Sequence, residues 1–236
     1  MYYWNQDNFE GLEGIANQAV ALPHLENFSR YCILRSNGLR KDALSALKAF
    51  LNGATSLSFD ERRKIVVWLL ETQLRAPRVH QLLPHPVTRE LIEPTLVEWI
   101  RLFPMEASAH RWRGYVSRNI DALKRAVEID AGDSIARGLL ISQLISEVDF
   151  ATHHLAEGSF IGEVTEAMAT LEDIRHLLTE LPAGTKRTEL ESCFNEQHQL
   201  VHDWVEYKSN PIGSFQEWCL LRQRPYHWPS IVYYNK

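Results

Sequence analysis

The chain has 236 residues, 45% of them hydrophobic and 23% charged, the proportions of a soluble globular protein long enough to bury a sizeable core. No segment approaches the ~18 uninterrupted apolar residues of a membrane-spanning helix, and the opening MYYWNQDNFEGLEG has neither the basic region nor the apolar stretch of a secretory signal, so a cytoplasmic protein without membrane contact is expected. The net charge of −5 is uneven: residues 1–118 carry 15 Lys and Arg against 12 Asp and Glu, residues 119–236 carry 10 against 18, and 147–206 carry 3 against 13, which argues against a nucleic-acid partner for the acidic half by like-charge repulsion but not against a basic protein.

From residue 22 to 222 apolar positions recur every three or four residues, and no period-two run stands out, so the fold class predicted is all-α, with more than about 55% helix and no sheet of more than two strands. Leu25, Phe28, Cys32 and Leu34 mark a first helix broken at Ser36-Asn37-Gly38; Leu39, Ala43, Leu47, Phe50 and Leu51 mark a second. Ser58 followed by Glu61 is a capping-box pattern that starts a helix with the face Ile65, Trp68, Leu69 and Thr72, ending near Pro77. RAPRVHQLLPHPVT reads as a Pro-punctuated connector. The next helix begins at Thr88 or restarts with Pro94 in its first turn, carries Leu91, Leu96, Trp99 and Phe103 on one face, and stops at Pro104.

Residues 105–116 and 120–130 read as a short hairpin. Gly132 ends its second arm and Asp133 caps a helix through Ile135, Leu139, Ile141 and Leu144. Two longer helices follow, one with Val164, Met168, Leu171, Ile174, Leu178 and Leu181, the other with Leu190, Phe194, Val201, Trp204 and Tyr207; a short one surrounds Phe215 and Trp218. Cys32, Cys193 and Cys219 contain no CxxC pair, which suggests neither a disulfide framework nor a structural zinc, and Cys32 and Cys193 are expected as buried small hydrophobes. Roughly ten helices joined by short turns suit either a stacked hairpin solenoid or an irregular helical bundle, built as a single elongated domain over 1–236. The one internal division suggested lies at the connector, between 1–84 and 85–236.

The stretch ALKRAVEIDAGDSIARGLL resembles the boundary between two tetratricopeptide repeats: Ala126, Glu128, Ile129 and Asp130 match the Ala-Leu-Glu-Leu-Asp close of the repeat's second helix, and Ala131 stands where the family has proline. NGLRKDALSALKAFL is similar to another second helix, with Gly38 at the turn, Ala43 at the small contact position and Leu47 one turn on. The resemblance covers about 50 residues, and the hairpin before residue 130 is about one helical turn short of the family's repeat length. It implies a tetratricopeptide-like, degenerate helical repeat that presents a protein-interaction surface, and it carries over no catalytic residue.

The chain lacks GxxxxGK[ST], GxGxxG after a strand, GxSxG and HExxH, so phosphate-loop, dinucleotide-binding, serine-hydrolase and zincin chemistry find no support. One row could hold a metal: His198, His202 and Glu206 stand four apart on a helix, and His153, His154 and Glu157 lie together elsewhere. That row falls off the apolar face, where an ordinary polar flank is the simpler expectation. Glu166, Asp173 and Glu180 are seven apart, hence one stripe opposite the Val164, Met168 and Leu171 face. Aromatics gather at the ends: Tyr2, Tyr3, Trp4 and Phe9, then Tyr226, Trp228, Tyr233 and Tyr234, as caps over a helical stack or as a docking patch. The leading expectation is a non-enzymatic adaptor without cofactor that binds a protein or peptide, with the acidic stripe facing a basic partner. Two alternatives stand beside it: an immunity-type inhibitor of a basic toxin or effector, and a metal-dependent enzyme using the histidines.

Overall fold

The computed structural model describes residues 6–224 and 226–228. Of these, 75% are helical and none lies in a strand, so the all-α class holds. The chain divides into two compact units, Met1–Ser117 and Arg118–Lys236.

In the first unit, α1 (Gln6–Ala19) packs on α2 (Glu26–Ser36), and α2 packs on α3 (Arg40–Ala54). Gly38 makes the tight turn between α2 and α3 at φ +76°, a backbone region that costs glycine no Cβ clash. The start of α4 (Phe59–Arg75) follows from its sequence: the Ser58 hydroxyl accepts from the Glu61 amide, and the Glu61 carboxylate accepts from the Ser58 amide. A short α5 (His85–Val87), a π turn at Thr88–Ile92 and α6 (Glu93–Leu102) follow one another with right-handed helical backbone throughout. Both starts read from the sequence thus belong to one helical run, and the wide turn falls immediately before Pro94, whose ring would crowd the carbonyl four residues earlier in a regular helix. α6 packs against α4 and α7 (Ala107–Ser117).

The connector is core rather than linker, and this moves the boundary from residue 84 to 117. Val79, Leu82 and Val87 are buried with Leu12, Phe28, Leu47, Leu69, Ile92, Leu96 and Trp112. The Tyr31 hydroxyl donates to the Gln81 carbonyl at 2.7 Å, and the Gln81 amide donates to the Asn8 side chain at 3.2 Å. α1 meets this segment so closely that a Cβ on Gly11 would stand 2.4 Å from Val79 Cγ2.

In the second unit, α8 (Ile120–Ile129) lies along α9 (Ser134–Thr152), and α9, α10 (Val164–Thr179) and α11 (Thr185–Ser209) are in mutual contact. A 3-10 turn at Leu155–Glu157 and α12 (Phe215–Leu221) close the unit. Because α9 meets α8, α10 and α11, it has no single apolar stripe. Ala136, Arg137, Gly138, Leu140, Ile141, Leu144 and Val148 are all buried, whereas Ile135 is 41% exposed, which corrects the face read from the sequence. The cysteine expectation is corrected as well: Cys32 and Cys219 are buried, and Cys193 is exposed.

Candidate interaction groove

The α8–α9 hairpin is shaped by short polar side chains at its ends. Asn119 accepts from the Ala122 amide at 2.8 Å and Asp133 from the Ala136 amide at 2.9 Å, capping both helices, while Asp130 accepts from the Gly132 amide at 2.9 Å inside the turn. Ala126 and Ala136 are fully buried; side chains this small let two helices approach closely. Leu123 completes the buried side of α8.

With α8 on one flank of α9 and α10 on the other, a groove opens over α9. Leu140 and Leu144 form its floor, Lys124, Val127 and Glu128 one wall, and Asp173, His176, Leu177 and Glu180 the other, around a volume of about 300 Å³. A cleft of about 420 Å³ adjoins it, sharing Lys124, Leu144 and Asp173 and reaching Arg118, Asp121 and Glu147. The combined rim has five carboxylates, at 121, 128, 147, 173 and 180, and two cationic side chains, at 118 and 124. An apolar floor under an acidic rim suits a basic segment with one apolar face.

The structure assigns different positions to the three acidic residues of the stripe. Asp173 lines both parts of the groove and has no ion-pair partner among the described residues. Glu180 is engaged: its carboxylate receives Nη2 of Arg137 at 2.8 Å and its carbonyl receives Nη1 at 3.2 Å, with the Arg137 side chain only 5% exposed. Glu166 is exposed in the first turn of α10 and does not line the groove. The row is therefore not one free charged surface.

The histidine row is drawn apart at its third member. His198 and His202 do meet, Nε2 to Nε2 at 3.2 Å, and Arg175 Nη2 lies 2.7 Å from His198. Partial burial, then His202 and Arg175, push the His198 imidazole below its usual range. Glu206 turns instead to Arg222 Nε at 3.2 Å and to Arg224 at 3.7 Å. In the other group, His154 bonds Glu157 at 2.7 Å while His153 Nδ1 faces the Phe150 carbonyl at 3.2 Å. Among the described residues no three His, Cys, Asp or Glu side chains converge as a metal site.

Sequence reasoning missed Asp203. Its fully buried carboxylate accepts from Gln199 at 2.9 Å, from Arg224 and from the Tyr226 hydroxyl. Burial and that hydrogen bond push the Tyr226 phenol upward, and burial beside Asp203 pushes the Cys219 thiol up to about 11. These bonds hold the segment after α12 against α11, where Tyr226 and Trp228 pack on the cluster of Trp204, Phe215 and Trp218. The nearest sequence signal is an acid directly before Trp204, close to the apolar Leu200 and Val201. Phe9 is half-buried on α1; Tyr2, Tyr3, Trp4, Tyr233 and Tyr234 lie outside the described residues.

Comparison of the chain with protein-family models, with curated proteins and with solved structures finds no match.

Proposed function

We propose that the protein is a non-enzymatic adaptor of tetratricopeptide-like build, whose second unit binds a basic, amphipathic protein segment in the groove over α9. The observation that carries this reading is the combination of an apolar floor, Leu140 and Leu144, with an acid-rich rim in which Asp173 has no ion-pair partner among the described residues. The small residues at the α8–α9 seam support the repeat-like build. Neutralising a basic toxin or effector is a special case of the same binding and has no observation of its own. Intracellular location is part of the proposal; among the described residues no helix is long and apolar enough to cross a membrane.

Association kinetics test it. The probe is a helical Leu/Lys peptide of about 18 residues, a few turns long, compared with a scrambled peptide of identical composition. Asp173 acts mainly by steering, because exposed charges shape the long-range field more than static affinity. Asp173→Lys is expected to slow association of the amphipathic peptide by about tenfold at low salt, a gap that narrows as ionic strength passes about 0.15 M. Glu196→Lys changes the net charge by the same amount on an exposed site outside the groove and is expected to leave the rate nearly unchanged. Equal binding of the scrambled peptide, or equal slowing by both substitutions, would contradict the groove reading.

A further inference from the structure

The ionisable side chains that line the two parts of the α9 groove are five carboxylates, the cations of Arg118 and Lys124, and a single imidazole, that of His176. Carboxylates, lysine and arginine ordinarily keep their charge from about pH 7.5 down to about 5.5, whereas imidazole is the side chain that gains a proton across that interval. The charge of the rim therefore has one position at which mild acid can change it.

That position lies beside the carboxylate the groove leaves free. His176 stands three residues after Asp173 and four before Glu180 on α10, and all three line the same wall; side chains at these spacings are neighbours on a helix surface. Glu180 is held by Arg137 of α9, and Glu172 by Arg175. Asp173 has no ion-pair partner, and the His176 ring no hydrogen bond or ion pair, among the described residues. Across the groove α8 presents Lys124 and Glu128, while α9 contributes only Leu140 and Leu144 to this part and Glu147 to the adjoining one. α11, which also packs on α10, lines neither part: His198 and His202 meet at Arg175, and Arg187 pairs with Glu191. On its own wall, then, Asp173 is the uncommitted acid within reach of a protonated His176.

We propose that His176 makes the groove proton-sensitive. On acidification its imidazolium takes up Asp173 and adds positive charge to the rim, so a bound basic segment is released. The inference rests on the groove being a site for such a segment. Proton and cationic segment compete for one carboxylate, so affinity is full at pH 7.5 and falls toward pH 5.5. By linkage the reverse holds as well: a segment that binds less well to the protonated groove must expel protons when it binds.

Titration of the full chain with the amphipathic Leu/Lys peptide, acetylated and amidated so that only its lysines are charged, tests this at constant low ionic strength. The wild-type chain is expected to bind about threefold or more weakly at pH 5.5 than at pH 7.5, the size of effect one exposed charge contact can produce. His176→Gln is expected to bind equally at both. His176→Lys carries the extra charge permanently and is expected to bind as weakly at pH 7.5 as the wild type does at pH 5.5, an arm that needs no acid. Calorimetry near pH 6.5 in two buffers of different ionisation heat is expected to show proton release on binding for the wild type and none for His176→Gln. The same loss of affinity in wild type and His176→Gln, no loss in the wild type, or full affinity of His176→Lys at pH 7.5 overturns the proposal while leaving the groove reading intact. Absence of peptide binding by the wild type at pH 7.5 overturns both.

Discussion

Ala126→Glu is expected to unfold the α8–α9 hairpin, with a loss of at least about 4 kcal/mol of unfolding free energy. Ala126 is fully buried on a ten-residue helix whose only other buried side chain is Leu123. Among the buried residues of its neighbour α9, Ala136 and Leu140 offer no side-chain donor, and both terminal nitrogens of Arg137 are engaged by Glu180. A glutamate there must either bury an unpaired carboxylate or lever α8 away from α9, and the second route destroys the groove wall that carries Lys124, Val127 and Glu128. Ala126→Ser preserves the volume and can bond a helix carbonyl, so it is expected to cost only about 1 kcal/mol. Equilibrium denaturation of the full chain distinguishes the two, and an unchanged midpoint for Ala126→Glu would mean that the hairpin is not held at this contact.

Glu180→Lys is expected to lower stability by about 3 kcal/mol, and with it the melting temperature by roughly 6–12 °C, in a protein of this size. The new lysine can reach water, since Glu180 is half exposed. The cost falls on Arg137, which loses its carboxylate while its side chain stays 5% exposed and keeps only the bond to the carbonyl of residue 180. Asp173→Lys, about two helical turns earlier on the same stripe, removes no ion pair among the described residues and is expected to stay within about 0.5 kcal/mol of the parent. Thermal unfolding of the two variants side by side separates the structural member of the stripe from the one available to a partner. Equal melting temperatures would place Glu180 among the merely solvated charges.

The parts of this architecture that local chemistry determines were legible in the sequence. Ser58 with Glu61, Gly38 at φ +76°, Asp133 and the stop at Pro104 are each decided within four residues of chain. The meeting of His198 with His202 was legible for the same reason, because i and i+4 share a helix face. What stayed hidden depends on distant partners. The fate of Glu180 is set by Arg137, 43 residues away, and that of Glu206 by Arg222 and Arg224 arriving from beyond α12. Three prolines made residues 76–87 look like a linker, although Val79, Leu82 and Val87 are spaced to reach the core. The buried face of α9 could not be read because a helix with neighbours on several sides buries residues all round and loses the stripe that periodicity detects. The groove itself is an outcome of α8 and α10 flanking one helix, which no motif encodes.

The groove's role is tested most directly by amide and methyl chemical-shift mapping of the labelled full chain titrated with the amphipathic Leu/Lys peptide. The account predicts that the perturbed signals cluster on Lys124, Val127, Glu128, Leu140, Leu144, Asp173 and Leu177, the floor and both walls, and that Asp173→Lys weakens every one of them together at low salt. Perturbations scattered over the exposed carboxylates of α11, with the signals of Leu140 and Leu144 unmoved, would contradict it.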